Sequence, residues 1–434
     1  MSDWSVGRVL TINLAMAGLQ FCFVCFSVLN TYFLEELKIS SAITAAINVI
    51  GPVCGFLVQP IVGYMSDRSL NKMGRRRPFL IFGAIATSIS IIWMGMSAEI
   101  AGLFFKVGSD SYFTFAQVWA VFGVVFCNTF INVEYVAFRS LIADCVPSEA
   151  QNYGTTFSVF MMGCSSLICN IIMLVIVQFN LRYTYIYLII SCVTAGINLL
   201  LAIPSLIIVK EQQQDASAVS AENSFKQLCR EFKDMNKIFY AAMIPLLFSF
   251  TYGYTKDQQF TGYQYSQKIQ YSSQICLNSV VVIMAPIFGQ LMDILGEKLI
   301  FFICGCIQII SYVLLILNMS TSFLSSPWFI CLRVSLIGFI NVATSTIPFI
   351  YIGKFAPAQS KALYIGIFGS VAVFGQFIIL QIIRIVNLIV NSQNNSIWVA
   401  CILSIITTIS TLGLTDSTKY HSYEVVHDQN QKLI

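Results

Sequence analysis

From Val9 to Leu34 the chain carries no charged residue. A helix crosses the hydrocarbon of a bilayer with roughly 20 apolar residues, so this first run is already long enough. Apolar runs of similar length recur near 42–65, 78–97, 115–143, 153–178, 183–209, 237–262, 272–293, 298–319, 327–352, 362–388 and 395–415. Only 10% of the 434 residues are charged and 57% are hydrophobic, whereas a soluble domain carries about 25% charged residues. There is too little polar surface to coat a water-soluble globule. The expected fold is an all-α integral membrane protein with twelve transmembrane helices. The first run is too long for a cleavable signal peptide and lacks a small-residue cleavage site.

The net charge of +4 says nothing about nucleic acid, which is not an expected partner; the lipid bilayer is. What matters is where the cations sit. With the amino terminus inside, sixteen Lys and Arg fall in cytoplasmic segments and five in outer loops, with Arg139, Arg333 and Arg384 inside spans. Positive charge collects on the cytoplasmic side, so both termini are expected there, in a plasma membrane or a vacuolar or other endomembrane. The fourteen cysteines lie almost all in apolar runs, where a thiol acts as a small hydrophobe. No disulfide framework or metal site is expected, and Cys304-x-Cys306 lacks zinc-site spacing. No phosphate loop and no nucleophile-and-base arrangement is present, so an enzyme is not expected.

One extended polar segment, 210–236, follows the sixth run. It divides the chain into an amino-terminal six-helix half (1–209), a cytoplasmic linker (210–236), a carboxy-terminal six-helix half (237–415) and a cytoplasmic tail (416–434). An internal echo supports the division. Gly63-x-x-x-Asp67-Arg68 ends the second run, and Gly289-x-x-x-Asp293 ends the eighth. Repeats of this kind build carriers that bind substrate at the midplane between their halves. After Asp67 come Arg68, Lys72, Arg75, Arg76 and Arg77. Arginine forks and carboxylates form short bidentate bonds that a moving interface can break and remake. Asp67, Arg68, Arg75, Arg76 and Asp293 are therefore the candidate cytoplasmic gate.

The block GPVCGFLVQPIVGYMSDRSLNKMGRRRPF, starting at Gly51, resembles the sucrose transporters of the glycoside-pentoside-hexuronide cation symporter group, within the major facilitator superfamily. Three further segments are similar: Ala17-Gly18-Leu19-Gln20-Phe21, Arg139-Ser-Leu-Ile-Ala-Asp144, and Thr344-x-x-Ile347-Pro348-Phe349. The eleventh run agrees loosely through Gly366 and Gln376. The resemblance implies two six-helix bundles of the major facilitator type, a monomer, and transport of sucrose or a related disaccharide or glycoside by alternating access with the proton as coupling ion. It also implies that Arg139 contacts substrate. The sequence departs from the pattern at Asn128, where the family carries an aspartate that takes the coupling proton. The family's histidine after the first span is replaced by Lys38-Ile39-Ser40. The alternatives are an uncoupled sugar facilitator or exporter, and a sugar sensor that does not transport.

A sugar site needs groups that replace water around hydroxyls and aromatic faces for the ring. At 100° per residue, Asn128, Asn132, Tyr135 and Arg139 fall at about 0, 40, −20 and 20°, one narrow face of the fourth helix. An arginine at membrane depth marks function or pairing. Gln20 and Gln376 are amides at the same depth and complete the candidate substrate site. Glu134, at about 240° on that wheel, points off the stripe; with Asp257 it is a candidate proton-coupling acid. Arg333 and Arg384 lie toward the outer ends of their runs, where long side chains snorkel or pair.

Overall fold

The structure is a computed structural model and describes residues 5–39, 41–179, 183–209, 211, 230, 232–233, 235–249, 267–320, 326–390 and 395–416. The first span is made of α1 (Val6–Ile12) and α2 (Leu14–Glu36), meeting at Asn13. Then come α3 (Ser41–Asp67), α4 (Arg77–Gly95), the short α5 (Ser97–Phe104), α6 (Asp110–Cys145), α7 (Gln151–Gln178) and α8 (Tyr183–Ile208). The later part of the chain contributes α9 (Lys237–Ser249), α10 (Gln267–Leu295), α11 (Glu297–Ser320), α12 (Pro327–Phe355), α13 (Lys361–Val390) and α14 (Asn395–Ser410). Ten of the described helices are long and apolar enough to cross a membrane, and two shorter apolar ones, Lys237–Phe248 and Ile397–Gly413, fall where the seventh and twelfth spans are expected.

Helices are the natural form of these runs because lipid offers the backbone no hydrogen-bond partners. Their outward faces stay apolar: Leu200, Ile203 and Ile207 on α8, and Ile303, Ile310, Val313 and Leu317 on α11, are all exposed. A soluble protein rarely leaves such continuous apolar faces uncovered. The 36 residues of α6 span about 54 Å at 1.5 Å per residue. That exceeds the hydrocarbon core of about 30 Å, so α6 starts earlier than its apolar run and projects beyond it.

The helix pairing repeats. In the first half α2 packs on α8, α4 on α6, α3 on α6, α4 on α8 and α2 on α6. In the second half α9 packs on α14, α11 on α12, α10 on α12, α11 on α14 and α9 on α12. Counted as spans, the second set is the first set moved on by six. The echo of Gly63-x-x-x-Asp67 in Gly289-x-x-x-Asp293 is thus the surface sign of a structural repeat.

Two compact units emerge, and each takes in a helix start from the other half of the sequence. One comprises Met1–Cys145, Met161–Ser220 and Pro357–Val373; the other comprises Val146–Phe160, Ala221–Ala356 and Phe374–Ile434. The beginning of α13 therefore belongs with α3, and the beginning of α7 with α10. The 210–236 linker lies largely outside the described residues.

Candidate functional site

The stripe on α6 forms as the helical wheel requires. Arg139 is buried, with its guanidinium 5.4 Å from the Tyr135 ring centroid and Nη2 3.7 Å from Met162 Sδ. Asn128 Nδ2 donates to the Val124 carbonyl (2.8 Å) and Asn132 Nδ2 to the Asn128 carbonyl (2.7 Å). Each amide is thus anchored to its own helix through its NH₂, with its oxygen turned toward α3. Gln59 Nε2 on α3 donates to Asn132 Oδ1 at 2.6 Å. Gln59 is buried and is a member of the stripe that the sequence reading passed over. Its signal was available: an amide at membrane depth, the same argument that singled out Gln20 and Gln376.

Gln20 reaches α7, with Nε2 donating to Ser166 Oγ at 3.0 Å. Gln376 lies half-buried on α13 and belongs to the second unit, not to the unit that holds α6. Glu134 points away from the stripe, as expected, and is fully buried. Asp257 lies outside the described residues. Of the two expectations for Arg333, snorkelling or pairing, burial removes the first: it is 1% exposed, and Ser311 Oγ donates to its backbone carbonyl at 3.0 Å. The side chain is sealed inside its bundle because α12 packs on both α10 and α11 there. The Arg384 side chain is outside what is described.

The loop between α3 and α4 is organised by Arg76, whose side chain is completely buried. Its guanidinium donates to Asp67 Oδ1 (2.6 Å), Asp144 Oδ2 (2.8 Å) and Ser66 Oγ (2.8 Å). Burial opposes the charge, but Asp67 and Asp144 outweigh it and hold the guanidinium protonated, above the ordinary arginine range. Arg75 adds a second bond to Asp144 Oδ2 (2.9 Å) and one to the Ala358 carbonyl (3.0 Å). Arg68 is stacked over the Tyr64 ring at 4.5 Å.

Asp67 also sits on the start of α13. Its carboxylate accepts from the backbone N–H of Ala362 (3.3 Å) and Leu363 (2.8 Å). Those N–H groups have no partner within the helix, and the helix dipole favours an anion there. Gly63 lets the two helices meet: a Cβ at this position would lie 2.3 Å from the Ala362 carbonyl oxygen. The glycine sets the approach and the acid four residues later caps the neighbour. Asp144, which the sequence placed only within a motif, and Glu211 complete the network. Glu211 accepts from the backbone N–H of Arg76 (3.0 Å) and Arg77 (2.9 Å), capping α4 from the segment after α8. Burial raises its carboxyl above the ordinary glutamate range, and the N–H groups of Arg77 and Arg76 pull it back.

The second repeat has the same plan in other chemistry. Asp293 accepts from Asn152 Nδ2 at 2.5 Å and bonds Tyr153, both in the first turn of α7. Asp416 accepts from the Lys298 backbone N–H (2.9 Å) at the start of α11, as Glu211 does for α4. Lys354 Nζ lies 3.1 Å from Glu297 Oε1.

Two repeats of one helix-pairing scheme, each with an acid seated at the start of a helix from the other half of the sequence, define a polytopic membrane protein of the repeated six-helix-bundle class. The chain belongs to the Major Facilitator Superfamily, whose family model matches residues 11–380. Among curated relatives, the sucrose transport protein SUC4 of Arabidopsis thaliana is 34% identical over 156 residues, 35% of this chain and 30% of that protein. The general alpha-glucoside permease of Schizosaccharomyces pombe is 27% identical over 196 residues, 45% of this chain and 35% of that protein. The matched segments thus span about a third of each relative's length. Among solved structures, the proton:xylose symporter XylE bound to 6-bromo-6-deoxy-D-glucose superposes with a TM-score of 0.66 at 13% identity, covering 94% of this chain and 95% of that one. That likeness shows the fold.

Proposed function

We propose that this protein carries a disaccharide of the sucrose or alpha-glucoside type across a membrane by alternating access. The observation that carries the reading is the α6 stripe, on which the Arg139 guanidinium lies over the Tyr135 ring on the same face as the amides of Asn128 and Asn132. A planar guanidinium and carboxamide oxygens are suited to replacing water around sugar hydroxyls, and an aromatic face suits the ring. The relatives named above, sucrose transporters and an alpha-glucoside permease, support the same substrate class. Gln59 borders the stripe as a further amide, and Gln20, bonded to Ser166 on α7, is a further candidate.

In this reading both termini are cytoplasmic, and the Asp67 and Asp293 hairpins form the cytoplasmic gate. Asp67 on α13 and Asp293 on α7 hold the gate shut by capping, and the gate opens when these helix starts lose their anions. The protein works as a monomer within the bilayer and needs no resident metal or cofactor. The test is uptake of labelled sucrose and labelled maltose into proteoliposomes containing the full chain. Saturable uptake of either, competed by the other and lost in R139A, supports the reading; protein-independent flux of both overturns it.

A further inference from the structure

We propose that Glu134, held by Asn198 in the sealed interior of the first bundle, is the proton-binding site that couples transport. This rests on the carrier reading above and assigns its driving ion to one side chain. Glu134 has no exposed surface. Its Oε2 accepts from Asn198 Nδ2 at 3.3 Å, and its Oε1 has no hydrogen-bond partner among the described residues. The Thr87 hydroxyl lies close by without a good hydrogen-bond geometry.

The surroundings decide the protonation state. The titratable groups facing Glu134 are Cys22 from α2 and Cys127 from α6 itself, with Thr87 from α4 and Asn198 from α8 as the polar neighbours. No ion pair joins Glu134 to a cation among the described residues, in contrast to Asp67 and Asp144 on the hairpin. An ionised carboxylate sealed away from water without a cation is costly, and such groups take up a proton instead. Packing leaves little room for water at the helix contact, because a Cβ on Gly83 would lie 2.8–2.9 Å from the backbone and Cβ of Glu134. A proton on Oε1 turns the orphaned acceptor into a donor. Asn198 Oδ1 is likewise an unpartnered acceptor in this pocket.

Position links the proton to the sugar stripe. The stripe itself holds no carboxyl group: Asn128 and Asn132 are amides, Tyr135 a phenol and Arg139 a guanidinium. Glu134 stands on the same helix between Asn132 and Tyr135, and Arg139 follows about 7.5 Å further along the axis at 1.5 Å per residue. A proton bound at Glu134 allows tight packing of α6 against α4. Its release leaves a carboxylate that must find water, which loosens the same helix that presents the stripe. The step is one proton taken from solvent on one side and given to solvent on the other, with no electron transfer.

The test uses the full chain in proteoliposomes, with E134Q as the isosteric variant that cannot ionise. Infrared difference spectra across a pH titration are expected to show a carboxylic C=O band in the wild type that is absent in E134Q, and N198L is expected to shift its titration midpoint. An inward-acid gradient is expected to drive labelled sucrose above equilibrium in the wild type, while E134Q equilibrates sugar by counterflow but no longer accumulates it. Accumulation by E134Q equal to the wild type, or a spectrum unchanged by E134Q, would overturn the proposal. The infrared arm reads the proton site even if sucrose is not the cargo, so failure of the sugar reading would appear separately as wild-type counterflow absent for every sugar offered.

Discussion

The two hairpins follow one plan with different chemistry. In the first, Asp67 caps α13 while bound to Arg76, and that arginine is shared with Asp144, so one buried cation holds two carboxylates. In the second, Asp293 meets an asparagine amide and a tyrosine, and the charges sit apart in the Glu297–Lys354 pair. Even the glycine contacts differ. A Cβ at Gly63 would strike a backbone carbonyl at 2.3 Å, whereas one at Gly289 would approach side chains alone, the Thr156 hydroxyl at 3.1 Å and the Tyr153 ring at 3.4 Å. The repeat preserved where an acid meets a helix start and let the strength of the contact diverge. The contact at the first hairpin is therefore expected to be the stronger and that at the second the weaker.

The largest effect is expected from R76A, which leaves Asp67 buried without its cation and Asp144 with Arg75 alone. Removing one partner of a buried pair costs about 3–5 kcal/mol, and the thermal unfolding midpoint of the purified protein should fall accordingly. R76K should recover only part, because a lysine cannot replace the planar fork. Equal stability of R76A and the wild type would erase the distinction between the hairpins.

Next come the glycines. G63A forces α3 away from α13, and overpacking of this kind costs typically 1–3 kcal/mol. G289A meets side chains at 3.1 Å or more and no backbone, so it should cost much less than G63A in the same unfolding assay. Similar penalties for both would contradict the steric difference. The caps rank third. E211A removes an acceptor of two backbone N–H groups at α4 and D416A an acceptor of one at α11, each within the range of about 0.5–2 kcal/mol for a lost cap. The first should cost more. E211Q, which keeps an acceptor and removes a charge that burial disfavours, should cost less than E211A.

The smallest effect is expected from D293N. Its carboxamide oxygen can still accept from Asn152, so the change stays within the worth of one ordinary hydrogen bond, about 0.5–1.5 kcal/mol. A loss in D293N as large as that of R76A would make the second hairpin the stronger latch.

Much of this molecule could be read from its chain. Twelve apolar runs foretold the helices, the spacing of Asn128, Asn132, Tyr135 and Arg139 foretold a single face, and the glycine–aspartate echo foretold the repeat. What could not be read was which distant segments meet. Asp67 and Leu363 are 296 residues apart, and Arg76 and Glu211 135. Periodicity reports only the face of one helix and carries nothing about a partner so far along the chain. Asp144 was hidden for the same reason: it is a lone polar residue until the loop between α3 and α4 supplies Arg75 and Arg76. Whether Arg333 snorkels or pairs could not be read either, because position along a span does not reveal burial; α12 packs on α10 and α11, and the arginine is buried.

The central claim is that the α6 stripe binds a disaccharide through Arg139. Calorimetric titration of sucrose and maltose into the purified wild type and R139K tests it most directly. The account predicts saturable binding of at least one of the two by the wild type and its loss in R139K, whose fold is intact by thermal unfolding. Binding by R139K as tight as by the wild type would contradict it.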